Sequence, residues 1–211
     1  NIKTSIRDYS SNVLTKYPQD LFYNDTTDML AWYKFDGNLT DSSGNGQNLT
    51  LLSGGTNEYD TTVIHQGVSS LKFNGSTSYS VTPPSGTDPF NSNTITISVW
   101  HYPTGDGTQS ILSTRNTTWF DGWTLYAFPS TGKYNLQYLI NGPTPTWEYI
   151  KSGVVSSFVL NTWHHICVTI DENKVGTFYV NSVKVGQTIL SNFISTTSTI
   201  LYVGANQGGD S

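Results

Sequence analysis

The acidic residues are the first candidates for chemistry. Glycoside hydrolysis needs two carboxylates facing one bond, and a Glu-x-Asp-x-x-Glu type of spacing on a strand supplies them because alternate residues share a face. The chain has three glutamates, Glu58, Glu148 and Glu172, and none lies in such a pattern. His164 and His165 follow Trp163. Adjacent strand residues point to opposite faces and no His-Glu-x-x-His spacing exists, so both histidines read as structural, one of them hydrogen-bonded across a sheet. There is no Gly-x-Ser-x-Gly elbow and no loop of the type that cradles phosphate. The sequence therefore predicts a protein that is not an enzyme.

Aromatic residues offer a different chemistry. The C–H faces of sugars stack on aromatic rings while side-chain amides bond the hydroxyls. The stretch Trp119-Phe-Asp-Gly-Trp123, with Tyr126 after it, and Trp147-Glu-Tyr149 are the densest aromatic segments outside the evident core strands. Trp123 alternates with Leu125 and Ala127 and reads as inward. Trp119, Trp147 and Tyr149 show no such alternation, which makes them, with Tyr126 and the nearby amides Asn135 and Gln137, the candidate ligand-binding set. Asp36 and Asp41, with Asn38, Asn45 and local carbonyls, form the candidate set for a structural Ca²⁺, since hard cations want several oxygen ligands. The alternative is that both aspartates bond their own turns, as Asx residues do.

These candidates need a scaffold, and the composition says which kind. Across 211 residues only 12% are charged, aromatics reach 13%, and there are six Trp and thirteen Tyr. Solubility comes from neutral polar groups, while the aromatic and β-branched residues are enough for a core. The net charge is −5 with ten scattered basic residues, which does not suit a phosphate backbone and argues against nucleic acid as a partner. No segment is apolar for long enough to predict a membrane span. The single cysteine, Cys167, lies in the apolar run His165 to Val168 and reads as a buried small hydrophobe. Asn24, Asn38, Asn48, Asn74 and Asn116 stand in glycosylation sequons, which a chain so rich in Asn, Ser and Thr also produces by chance.

Residues 1–28 differ from the rest. Ile2, Ile6, Tyr9 and Val13 recur at spacings of four, three and four, which predicts either the end of a coiled-coil stalk or a polar tail that shares the period. From residue 29 to 211 the pattern is strand and turn. Ile95, Ile97 and Val99 alternate with polar positions or Trp100, as do Ile166, Val168 and Ile170. Asn74-Gly75 signals a tight turn, and Asn181-Ser182 reads as a two-residue connection between strands. Many short strands without helical periodicity predict an all-β, two-sheet antiparallel sandwich.

The order of motifs resembles the laminin-G-like, concanavalin A-like jelly-roll family. The residues that carry the resemblance are Ala31-Trp-Tyr-Lys-Phe-Asp36 with Asp41-Ser-Ser-Gly-Asn-Gly46, Gly67 to Ser76, Thr94 to Trp100, Trp163 to Ile170, Phe178 to Asn181 and Val203-Gly-Ala-Asn206. The resemblance implies a two-sheet jelly roll of the kind that holds glycans or protein partners, and related folds often carry calcium. It departs in two places. Ser182 stands where the family has glycine. The family's closing strand, which pairs beside the first strand, is also missing before Ser211. The open slot beside Ala31 to Asp36 must then be filled by residues beyond Ser211, by a strand from another copy, or by the N-terminal segment folding back. The first is expected before the second, and the heptad would bring copies together as a homo-oligomer. Tyr9 to Thr15 is similar to repeats in fibre-like proteins of large DNA viruses.

The functional expectation is a non-catalytic recognition or attachment module for glycans or glycoprotein surfaces, at an extracellular or virion surface. The alternative is a minor capsid or cementing protein that packs its sandwich against other virion proteins.

Overall fold

The computed structural model describes residues 2–7, 28–53, 56–75, 78–82, 89–90, 92, 94–115, 122–140, 146–153, 155, 158–191 and 200–205. Strands β1 (Ile2–Arg7), β2 (Met29–Tyr33), β3 (Thr50–Ser53), β4 (Tyr59–Asp60), β5 (Ser70–Leu71), β6 (Ser78–Val81), β7 (Ile95–His101) and β8 (Gln109–Ser113) form the first half of the fold. Then come β9 (Trp123–Phe128), a 3₁₀ turn at Pro129–Thr131, β10 (Lys133–Ile140), β11 (Thr146–Lys151), β12 (His164–Ile170), β13 (Val175–Val180), β14 (Val183–Ile189) and β15 (Leu201–Val203). The pairings are antiparallel and build two sheets. Sheet A runs β14-β13-β12-β7-β1, with β2 and β5 sharing the far edge of β1 and β4 beyond β5. Sheet B runs β11-β10-β9-β8-β15-β6-β3. The two-sheet antiparallel sandwich read from the sequence is the fold that forms.

Alternation sets the register as expected. Ile95, Ile97 and Val99 of β7 and Ile166, Val168 and Ile170 of β12 are all buried, and β12 pairs with β7 along its whole length. Trp123, Leu125, Ala127, Tyr134 and Leu136 face them from sheet B. A one-residue slip would turn the whole set to solvent, so burial fixes the pairing. His164 points into the core and His165 outward, where its Nε2 shares a 2.8 Å hydrogen bond with Ser98 Oγ of the neighbouring strand. The Asn181-Ser182 connection joins β13 to β14, with Val180 opposite Val183. The strands on either side of Asn74-Gly75 do not form a hairpin: β5 belongs to sheet A and β6 to sheet B.

The N-terminal segment corrects the helical reading. Ile2–Arg7 is a strand, pairing with β7 from Ile2 opposite His101 to Arg7 opposite Thr96, and with β2 from Thr4 opposite Tyr33 to Arg7 opposite Met29. Residues four apart share a face in both a helix and a strand, so Ile2 and Ile6 fit either period. A short isolated helix is marginal, whereas the slot between β2 and β7 offers ladder partners on both edges. Tyr9 and Val13, the second half of the period, lie outside the described residues. The N-terminal segment, one of the three expected fillers, thus pairs along one edge of the first strand.

On the other flank β11 crosses close over β13 and β14. A Cβ on Gly186 would fall 1.9 Å from the Lys151 carbonyl oxygen, so only glycine allows this approach. Glu148 of β11 reaches across to Ser191, accepting from its backbone N–H at 2.8 Å and from its hydroxyl. These contacts hold β11, the strand that carries Tyr149.

Candidate functional site

Four of the six candidate ligand-binding residues converge on the outer face of sheet B. Tyr126 lies on β9, Asn135 and Gln137 on β10, and Tyr149 on β11. Asn135 pairs with Tyr126 on one side and Lys151 on the other, and Gln137 with Thr124 and Tyr149. All four alternate with core residues Leu125, Ala127, Tyr134, Leu136 and Ile150, which turns them outward by the strand's period of two. Trp147 of β11 pairs with Leu139 of β10; Trp119 lies outside the described residues.

The patch is organised by its own hydrogen bonds. Gln137 Nε2 donates to the Tyr149 hydroxyl at 3.3 Å, and Lys151 Nζ stands 5.1 Å from the centre of the Tyr149 ring. Tyr149 is 36% exposed, the most open of the four. Asn135 Oδ1 is buried and has no hydrogen-bond partner among the described residues. Beneath them lies a residue that sequence reading missed. Arg115, just after β8 and only 1% exposed, donates from Nη1 to the Tyr126 hydroxyl at 3.2 Å. Burial pushes its pKa down from the ordinary value, but a guanidinium keeps its charge in a protein. Arg115 follows Leu112, Ser113 and Thr114, all buried, so no alternation marks it in the sequence. The result is two phenol rings flanking two side-chain amides, with the buried Arg115 behind Tyr126 and the exposed Lys151 over the Tyr149 ring. Such a surface can stack a sugar ring and bond its hydroxyls.

Asp36 and Asp41 sit elsewhere, beside β2. Asp41 is buried, and its carboxylate accepts four hydrogen bonds. Oδ1 takes the Trp32 N–H at 2.9 Å and the Ser43 N–H at 2.8 Å, while Oδ2 takes the Ser43 hydroxyl at 2.8 Å and the Gln47 N–H at 3.0 Å. Four donors match the carboxylate's four lone-pair positions. Asp36 Oδ1 accepts from the Val68 N–H at 3.0 Å. Asn38 Oδ1 accepts from Thr40 N–H at 3.0 Å. Among the described residues no three His, Cys, Asp or Glu side chains group as metal ligands.

The three glutamates stand apart. Glu148 is engaged with Ser191, Glu58 accepts from Asn74 Nδ2 at 3.1 Å, and Glu172 is exposed in the turn after β12. Cys167 is mostly buried between Ser98 and Tyr179, and burial pushes its thiol up to about 11.

The sequence profile of the concanavalin A-like lectin/glucanases superfamily matches residues 73–211. The chain belongs to that superfamily. No curated protein matches it in sequence. Among solved structures, domain 4 of AbnA, an extracellular GH43 arabinanase from Geobacillus stearothermophilus, is similar with a TM-score of 0.60 at 18% identity, covering 82% of this chain and 81% of that one. The binding domain of Paraclostridial Mosquitocidal Protein 1 gives 0.62 at 17%, covering 85% and 44%. The binding domain of botulinum neurotoxin DC, in complex with SialylT, gives 0.54 at 13%, covering 81% and 41%. The concanavalin A-like chain thus spans less than half of these two toxin structures. At such identities the likeness establishes the shared sandwich. No helix among the described residues is long and apolar enough to cross a membrane.

Proposed function

We propose that this chain is a non-catalytic glycan-recognition module acting at an extracellular surface, virion surfaces included. The observation that carries the reading is the convergence of Tyr126, Asn135, Gln137 and Tyr149 on one outward face of three adjacent strands. Their chemistry, ring faces interleaved with amides, is that of a sugar site, and none of the four is a carboxylate. Two structural neighbours support it, since the arabinanase domain was solved with arabinotriose and the neurotoxin domain with SialylT. Separation of the three glutamates supports a binding role over hydrolysis, which needs two carboxylates across one bond.

A printed array of defined oligosaccharides, arabino-oligosaccharides and sialylated trisaccharides among them, tests the reading. Saturable binding should weaken by about tenfold or more, roughly 1.4 kcal/mol, in Tyr149→Ala and in Gln137→Ala. Trp147→Ala, two positions before Tyr149 on the same strand, completes the series. Wild-type affinity in all three variants, with the fold intact by circular dichroism, would sink the site.

A further inference from the structure

Sheet A carries its own aromatic face, pointing away from the patch on sheet B. Trp100 of β7 and His165 of β12 lie opposite each other in register, on the outward side of strands whose alternate residues Val99, His101, His164 and Ile166 are buried. Their ring centres are 4.9 Å apart. The His65 ring stacks on Trp100 at 3.5 Å with a 25° tilt, and reaches Trp163 at 5.8 Å. Trp163 meets Tyr102 at 5.3 Å. Trp100, Tyr102, Trp163 and His165 are half-buried and His65 is exposed. Five rings thus form one connected, tilted cluster from two strand ends and a loop, with the exposed His65 ring covering one face of Trp100.

The loop that brings His65 is fixed at both ends. Asp60 Oδ1 accepts from the Thr62 N–H, the Thr62 hydroxyl and the Val63 N–H at 2.7–2.8 Å, which holds its own pKa down at about 2. At the far end the Val68 N–H is held by Asp36, and the Ser69 hydroxyl donates to the Phe35 carbonyl at 2.6 Å. A platform ordered before binding does not lose that freedom when a ligand arrives.

We infer that this platform is a second carbohydrate-binding site, taking the ring face of an uncharged sugar, so that one chain is bivalent. The ligand class follows from the surface. Each of the five rings has an apolar face and a nitrogen or hydroxyl edge, and Ser98 adds a hydroxyl beside His165. That combination matches a pyranose, whose C–H face is rimmed by hydroxyls. None of the five is a carboxylate, lysine or arginine; Lys3 of β1 stands opposite Trp100 in register, so the ligand class is read from the rings themselves. Burial, then the neighbouring His65, pushes the pKa of His165 down and keeps it neutral. An aliphatic surface, which a protein partner's apolar side chains would favour, is missing from the five.

The two platforms look outward from opposite sheets, about 10 Å of core apart, and this separates their tests. Wild type, Tyr149→Ala, His65→Ala and Trp163→Ala are run on one array of defined oligosaccharides, and each hit is titrated while the indole N–H resonances are followed. Some oligosaccharides should survive Tyr149→Ala, shift the Trp100 and Trp163 resonances, and lose about tenfold or more in affinity, roughly 1.4 kcal/mol, in both sheet A variants. His65 is exposed, so His65→Ala keeps the test open should Trp163→Ala not fold. Loss of every hit in Tyr149→Ala, or wild-type binding in the sheet A variants, overturns the second site and leaves the sheet B reading standing. An array on which the wild type binds nothing overturns both.

Discussion

The Asp36 carboxylate fills the space where a side chain on Gly67 would be. A Cβ built on Gly67 falls 2.0 Å from Asp36 Oδ1, and Gly67 holds φ at +78°. The same oxygen accepts the Val68 N–H, so the carboxylate cannot swing away without breaking that bond. Gly67→Ala should therefore destabilise the fold by roughly 1–3 kcal/mol, from backbone strain and the displaced aspartate together. Thermal unfolding measures it. Because the loop carries His65, the stack on Trp100 should loosen as well, visible as a shift of the Trp100 indole resonance.

Asp41 makes a different prediction. Its four donors belong to the chain itself, three of them backbone N–H groups. Asp41→Ala leaves those buried donors unpaired and should cost roughly 2–4 kcal/mol. The loss is expected to be equal in calcium and in EDTA, since a cation would compete with donors already in place. A destabilisation confined to calcium-loaded protein would instead make Asp41 a ligand.

The β13–β14 turn can be improved. Asn181 and Ser182 have φ of 50° and 68°, both left-handed, as a two-residue type I′ connection demands. Asn tolerates that region, whereas Ser does so less well and glycine best. Ser182→Gly should raise stability by about 0.5–1 kcal/mol. A lower melting temperature in the variant would mean that the Ser182 side chain stabilises the turn in some other way.

How far these features were legible in the sequence depends on their range. The inward set from Ile95 to Ile170 and the Asn181-Ser182 turn were readable, because period two and turn chemistry are local signals. Tyr126, Asn135, Gln137 and Tyr149 could be nominated one by one, but their juxtaposition follows from the pairing of β9, β10 and β11, which no local pattern specifies. Ile2 and Ile6 were misread because a spacing of four suits both periods. Two contacts were beyond reach: Arg115 under Tyr126, and His65 on Trp100. Each joins residues from different elements with no motif in common.

Acidification should destabilise the sandwich before its carboxylates are protonated. His101 is buried at the inner edge of β7, its Nε2 at 2.8 Å from Gln109 Oε1 and its Nδ1 at 3.4 Å from the Tyr134 hydroxyl. Burial pushes its pKa down from 6.5 to about 3. Between those values the unfolded chain binds a proton that the folded chain refuses, so stability rises with pH across this window. It is fully present above pH 6.5 and is lost as pH falls towards 3, at up to about 1.4 kcal/mol per pH unit for each such group. His165, also lowered, acts in the same direction. Urea titrations at several pH values check this. His101→Gln should flatten the slope, and an unchanged slope would show that His101 is protonated in the fold.

The position of β1 makes the most demanding prediction. Ile6 sits opposite Ala31 on one side and Ile97 on the other, so its backbone lies between two ladders in the middle of sheet A. Proline there removes an N–H and clashes with a strand that has no free edge to turn towards water. Ile6→Pro should cost roughly 2–4 kcal/mol, the sum of a lost bond and an acceptor or donor left unpaired on a neighbouring strand. If β1 is expelled, β2 and β7 are left with exposed edges, and those edges should pair between copies. The variant is therefore expected to melt lower and to sediment as larger species. A variant that sediments as the wild type does, with wild-type stability, would show that Ile2–Arg7 contributes nothing to the sheet.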